Sequence, residues 1–351
     1  NDGSGILNGI VINGAGFSSR VSGLRIINFN QYGIVDYSSG SVIEGCEIGI
    51  TATNVANQNL MCGIYLFGSN AMVGGPFDYQ RNVISGNAQA GGAQAQIAID
   101  GAVVNNKILG NIVGLNNTGT NLISGSNGMY GIIDYGTGSL IGDINAGNII
   151  SGHTEGLVCD GCVNLTAKGN TIGMAYDQST PKANGTGIYV RNGASDIQIG
   201  TSLPGGGNII SGNTSVQMRI DQVNVLVVHN NFIGPDKSGD VTPFNTTHGI
   251  YVAHIQADIV RIGGFLPQEG NVISGNHYGI FFFECGDGAQ VLNNRIGTNA
   301  DGDAALTNEG GGVTIGTNVV SSIQIGNAGA GNLISGNSFA GTYGINVLGG
   351  N

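Results

Sequence analysis

Residues 270 to 283 read GNVISGNHYGIFFF, and the outline returns as GNIISGHTEGLVC at 147 to 159, GNIISGNTSVQMR at 207 to 219 and GNLISGN at 331 to 337. A second phrase, Gly-Ile-x-aliphatic, sets the period. It reads GIVIN from Gly9, GIVDY from Gly33, GIYLF from Gly63, GIIDY from Gly131, GIYVR from Gly187 and GIYVA from Gly249, with QIAID from Gln96 and QMRID from Gln217 as variants. Successive starts lie 24 to 35 residues apart, so the unit is about thirty residues, repeated some eleven times. GNxISGN recurs only every second unit because odd and even units differ in their loops.

One unit carries two or three short alternating strands and too few aliphatic side chains to offset the backbone entropy of ordering it. It must therefore stack on its neighbours. Strands that return after a complete turn of chain pair in parallel, which predicts a solenoid rising about 4.8 Å per rung. Composition agrees. The 351 residues include 65 Gly and only six Pro, with no Gly-X-Y period and with Ile and Val throughout. That pattern suits tight corners between short strands.

Three or four residues before most of these glycines stands an Asn: Asn30, Asn59, Asn127, Asn184, Asn213, Asn245, Asn276 and Asn308, with Asn87 and Asn337 in longer versions and His153 as the exception. A carboxamide donates to one coil while accepting from another, so stacked Asn side chains can satisfy a buried corner. The GIxI, xxNxIG and NxISGN phrasing with its Asn row resembles the right-handed parallel β-helix repeat of pectate-lyase-like proteins over essentially the whole chain. The resemblance implies one all-β solenoid domain over residues 1 to 351, as a mature part or fragment of a longer chain. It implies no single chemistry, since that family includes lyases, glycosidases, tailspikes and adhesins.

Period-two alternation puts Ile188 and Val190 of GIYVR inward and Tyr189 and Arg191 outward. The same register gives two outward rows. One holds Val11, Val35, Tyr65, Ala98, Ile133, Val158, Tyr189, Arg219, Tyr251, Phe281, Thr314 and Asn346; the other holds Asn13, Tyr37, Phe67, Asp100, Tyr135, Asp160, Arg191, Asp221, Ala253, Phe283, Gly316 and Leu348. Tyr65, Phe67, Tyr135, Tyr189, Arg191, Arg219, Asp221, Tyr251 and Phe281 are the candidate ligand-binding set. Aromatic faces stack on pyranose rings, and charged groups fix hydroxyls. The same residues also suit plain cross-strand packing.

Glycoside cleavage needs two carboxyl groups about 5 to 9.5 Å apart. Asp160 and Asp221 lie two rungs apart with Arg191 between them, which reads as a structural Asp-Arg-Asp ladder. Asp100 and Asp160, separated by the rung of Tyr135, are the better acid/base pair. Asp36 and Asp134 fall on inward positions and require hydrogen bonds from the corner backbone or a strand end.

Other chemistry is sparse. The loop NADGDAALTNE, 299 to 309, places Asn299, Asp301 and Asp303 at alternate positions, which hints at calcium; no other cofactor is indicated. The five His show no ligand spacing. Cys159-Asp-Gly-Cys162 has CxxC spacing without a second pair, so it reads first as core packing, and the five Cys form no disulfide framework. A net charge of −11 with scattered Lys and Arg excludes nucleic acid. No apolar run reaches the ~18 residues needed to span a bilayer. The opening NDGSGILNG lacks a signal-peptide build, as a mature secreted chain or an excised fragment would.

These features predict an extracellular or surface β-helix, structural or adhesive, with polysaccharide or cell-surface glycan as the partner of its strand face. The alternative is a polysaccharide hydrolase or lyase, tailspike-like, working on the same face. Open solenoid ends predict flanking sequence, a covering partner or end-to-end self-assembly.

Overall fold

The computed structural model describes residues 7 to 348 apart from 15–17, 89–92, 124–126, 244–245, 256–258, 286–287, 318, 320–321 and 338–340. The chain winds as a right-handed parallel β-helix. Each coil lays one strand in each of three parallel sheets, of 12, 11 and 11 strands. The first sheet runs from Ile10–Ile12 to Ile345–Val347, the second from Arg20–Ser22 to Gln324–Ile325 and the third from Arg25–Ile26 to Leu333–Ile334. Among the described residues helix is confined to two 3-10 turns, Asp78–Gln80 and Pro267–Glu269. Among the described residues no helix is long and apolar enough to cross a membrane.

The inward register follows the repeat. Ile34, Ile64, Ile97, Ile132, Leu157, Ile188, Met218, Ile250, Ile280 and Val313 are paired one above the next. All are buried. Like thus packs on like along the axis, so one contiguous core forms from units that have none alone.

The corner amides form two ladders. At the turn between the third sheet and the first, Asn59 Nδ2 donates to Asn87 Oδ1 (2.8 Å), Asn184 to Asn213 (2.9 Å), and Asn308 to Asn337 (2.9 Å). His153 takes its place by donating from Nδ1 to the Asn127 carbonyl (3.0 Å), and burial pushes its imidazole down to about 4. Asn30 does not join: the Asn59 Oδ1 accepts from the backbone of Phe29, which therefore holds the ladder position in that coil. Asn245 lies outside the described residues, and its neighbour Thr246 supplies the hydroxyl that meets Asn276 (3.0 Å).

The glycine after each ladder residue is required by space. A Cβ on Gly249 would sit 2.6 Å from the Gly279 carbonyl oxygen and 2.8 Å from Asn276 Nδ2. Where Gln replaces that glycine, its own amide enters the ladder. Gln96 Oε1 accepts from Asn87 (2.7 Å), and Gln217 Oε1 accepts from Asn213 (2.6 Å).

The second ladder stands between the second and third sheets and is continuous. It runs Asn82, Asn111, Asn148, Asn170, Asn208, Asn231, Asn271, Asn294 and Asn332, each Nδ2 donating to the next Oδ1 at 2.8 to 3.1 Å. The phrase GNVISGN thus contributes Asn271 to one ladder and Asn276 to the other. Its serine explains the two-coil superrepeat. Ser151 and Ser274 donate to the carbonyls of Met174 and Thr298, at the start of the longer loop in the next coil.

Candidate functional site

The outward face of the first sheet carries the candidate residues in the predicted register, with Phe67, Asp100 and Tyr135 one residue past the ends of their strands and still bonded through their backbone N–H to the coil below. Tyr65 pairs with Ala98, Tyr189 with Val158 and Arg219, Tyr251 with Arg219 and Phe281, and Asp160 with Arg191. Not all of this face is open. Val35, Ala98, Ile133, Val158 and Thr314 are buried. Ala98, Ile133 and Val158 join Cys62 and Ala95 in a small second core, against which Tyr32, Tyr65, Tyr130, Tyr135 and Tyr189 pack. Tall aromatic neighbours close over short side chains, so an outward position need not be an exposed one.

Tyr32, Cys62, Ala95, Tyr130, Glu155, Thr186, Val216, His248 and Tyr278 form a third outward row, which sequence reasoning missed. Alternation alone hides it: Tyr32, Glu155 and Thr186 lie two residues before the inward Ile34, Leu157 and Ile188, so period two sets them inward, whereas a Cβ on Gly187 would itself meet the inward atoms of Asn213 and Ile210, and the alternation breaks at the glycine.

In the lower coils Tyr37 and Phe67 stack (centroids 5.0 Å apart, planes 13° apart), and Tyr65 tilts against Phe67 at 4.1 Å. Tyr65 donates its hydroxyl to Asp100 Oδ2 (3.4 Å), and Asp100 Oδ1 accepts from the Ala102 backbone (3.1 Å). Burial pushes the Tyr65 hydroxyl up, and the Asp100 charge adds to that. Register sets the short Asp100 side chain between Phe67 on the rung below and Tyr135 on the rung above. Asp100 is therefore a notch in a row of rings.

The middle coils carry a stack of planar groups. The Arg191 guanidinium carbon lies 5.9 Å from the Tyr130 ring and 4.8 Å from that of Tyr189; Arg219 lies 4.8 Å from Tyr189 and 5.7 Å from Tyr251; and Tyr251 stacks on Phe281 at 5.9 Å. Each neighbour contributes cation–π or ring stacking along the axis. These rings give their faces to one another and present edges and hydroxyls outward.

The expected Asp160-Arg191-Asp221 ladder does not form. Arg191 Nε donates to Asp160 Oδ2 (2.9 Å) and Nη1 to Glu155 Oε2 (3.3 Å). Asp221 is engaged instead by Arg219 (3.1 Å) on its own strand and by His254 Nδ1 (2.7 Å). Glu155, from the row before the glycine, has the reach to take the place assigned to Asp221. Burial would lower the Arg191 pKa, but hydrogen bonds to Tyr130 and Asp160 and the nearby carboxylates hold it above the ordinary value. Burial pushes the Glu155 carboxyl up further than Arg191 draws it down.

His254 bridges coils, with Nδ1 on Asp221 and Nε2 3.1 Å from Glu284. The Asp221 hydrogen bond raises its pKa against a small desolvation effect. Its contribution to stability is therefore complete below the unfolded histidine value of about 6.5 and is lost as pH rises through the higher folded value. An NMR titration should place the His254 midpoint above 6.5, and His254→Gln should remove the loss of stability on that alkaline side. A midpoint at or below the unfolded value would contradict the bridge. His248, by contrast, packs among Tyr251, Tyr278 and Phe281, and burial, with His277 adding, pushes it down to about 4.

Asp36 and Asp134 are buried and serve the corner. Asp36 Oδ1 accepts from Ser38 N (2.9 Å), and Asp134 Oδ1 accepts from Gly136 N (2.8 Å). Asn299 spends its carbonyl oxygen on the backbone N–H groups of Gly302, Asp303 and Ala304, and its amide on Asp240 and Asp303. Those hydrogen bonds organise the loop. Among the described residues no three His, Cys, Asp or Glu side chains gather as a metal site. Cys159 and Cys162 form a disulfide, while Cys46, Cys62 and Cys285 are free and buried. Burial pushes the Cys62 thiol up to about 12, which makes it unreactive. A 620 Å³ cavity on the third sheet is lined by Arg81, Tyr176, Ile149, Ile209 and Phe232, but Arg81 gives its N–H groups to Asp78, the Gly110 carbonyl and Tyr176.

The strand pairing and amide ladders define a right-handed parallel β-helix repeat protein. No family model matches the chain, and no curated protein sequence does. Among the solved structures similar to it are two of named proteins. One is the Dettilon tailspike protein, at 14% identity and TM-score 0.31 over 97% of this chain; the chain spans 61% of that protein's length. The other is the Streptococcus pneumoniae surface protein and adhesin PfbA, at 12% identity and TM-score 0.31, over 97% of this chain and 92% of that one.

Proposed function

We propose that this β-helix is an extracellular or cell-surface protein that binds a linear glycan along the outward face of its first sheet, parallel to the axis, without cleaving it. The notch at Asp100 carries the reading. Phe67 and Tyr135 are two rungs apart, about 9.6 Å. Two carbon contacts of about 3.5 to 4 Å each fit one sugar ring between them. The Phe67 plane already stacks along the axis on Tyr37, the orientation such a ring needs. Above the notch, Tyr135 offers its hydroxyl group to a further sugar. The Cys159–Cys162 disulfide suits an oxidising compartment.

Binding without cleavage is favoured because Asp160 has both oxygens occupied, by Arg191 and by Asn192 (2.6 Å). Titration of linear polysaccharides should show saturable binding that falls about tenfold in Phe67→Ala and in Tyr135→Ala, with no release of reducing ends or unsaturated products. Unchanged affinity in both variants would dispose of the site. Release of reducing ends that stops in Asp100→Asn or Asp160→Asn would replace binding by hydrolysis.

A further inference from the structure

The carboxylates of the first-sheet face differ in one respect. Asp160 and Glu155 share Arg191, and Asp221 has Arg219 and His254. Asp100 alone among these receives only neutral donors, the Tyr65 hydroxyl and the Ala102 backbone N–H. Among the described residues no cation pairs with it. It is half-buried, which a lone negative charge tolerates poorly without a counter-charge. Three rings stand around it, Tyr65 on the rung below in one row, and Phe67 and Tyr135 on either side in its own.

A carboxylate framed by aromatic rings is complementary to an ammonium group. One rung is about 4.8 Å, so a cation seated outward of Asp100 falls within the ~6 Å over which a ring attracts it. Arg191 is unavailable for an anionic ligand, since its N–H groups already go to Asp160, Glu155 and Tyr130. The chain's net charge of −11 draws cations and repels anionic polymers at long range.

We infer that the notch selects a cationic nitrogen, so the glycan held there carries unacetylated amino sugars. This rests on the glycan reading above. The ammonium pairs with Asp100, while the apolar side of the same sugar ring lies against Phe67 or Tyr135. An N-acetyl group would remove the charge and add bulk in the notch.

Calorimetric titration with a glucosamine hexamer, its fully N-acetylated counterpart and a lysine-rich peptide tests this. The unacetylated hexamer should bind at least tenfold more tightly than the acetylated one. Asp100→Asn, with circular dichroism and Tm matching the parent chain, should reduce that preference to about twofold. If Asp100→Asn fails to fold, Phe67→Leu decides instead, and should weaken the hexamer at least fivefold. Equal or tighter binding of the acetylated hexamer, or a preference that survives Asp100→Asn, overturns the amino-sugar inference and leaves glycan binding standing. Failure of both hexamers overturns the amino-sugar inference and leaves the glycan reading to the polysaccharide titration above, and capture of the peptide alone assigns the notch to protein ligands instead.

Discussion

Asn208→Ala is expected to lower the unfolding free energy by about 4 kcal/mol, a large loss for one buried corner residue. Asn208 sits mid-ladder. Its Nδ2 donates to the Ala167 carbonyl (2.9 Å) and Asn231 Oδ1 (2.8 Å), and its Oδ1 accepts from the backbone N and the Nδ2 of Asn170, both at 2.9 Å. Four buried hydrogen bonds vanish together. Each contributes about 0.5 to 1.5 kcal/mol net, and every donor left without a partner adds about 1 to 3 kcal/mol. Urea unfolding should show the midpoint fall accordingly. Asn224→Ala, which removes an exposed bond to the Gly193 carbonyl, should stay within about 0.5 kcal/mol of the parent. A difference under 1 kcal/mol between the two variants would show that the ladder adds little beyond the stacked aliphatic core.

That ladder marks the boundary of what the sequence discloses. Period and register were legible because an outward or inward position depends only on the chain's own alternation, and Ile188, Ile250 and Val313 fall in one column as the spacing requires. The interrupted ladder was legible for the same reason, although Phe29 shows that a one-residue shift in the turn changes which side chain faces the axis. The continuous ladder was in plain sight as the first Asn of GNxISGN and the Asn three places before the last glycine of GNIVG, GNTIG, NNFIG and NNRIG. It went unread because two alternating phrases feed one row. On the outer face, membership of the two rows after the repeat glycine was legible, but the row before it and the contacts were not. Whether Arg191 meets Glu155 or Asp221 depends on side-chain reach and on competition from Arg219 and His254, which no spacing rule contains. The burial of Ala98 and Val158 beneath tyrosines likewise depends on the heights of neighbours in adjacent rows.

Arg191→Met should destabilise the chain by about 3 kcal/mol near neutral pH, and the deficit should shrink on acidification. The side chain is 19% exposed, with Glu155 at 16% and Asp160 at 17%, so its loss leaves two poorly solvated carboxylates facing one another without their shared cation. It also removes the planar group between Tyr130 and Tyr189. The pH direction follows from Glu155. Its folded pKa is already raised by burial, and without the guanidinium it rises further, so the ionised form at neutral pH is what costs stability. Below the unfolded glutamate value of about 4.3 the carboxyl is protonated in both states and that cost disappears. Denaturation series at pH 7 and pH 4.5 should therefore show the variant closer to the parent at the lower pH. A deficit that is constant across this range would mean that Arg191 acts through packing on the tyrosines rather than through charge, and the middle of the face would then be a stack of rings with incidental ion pairs.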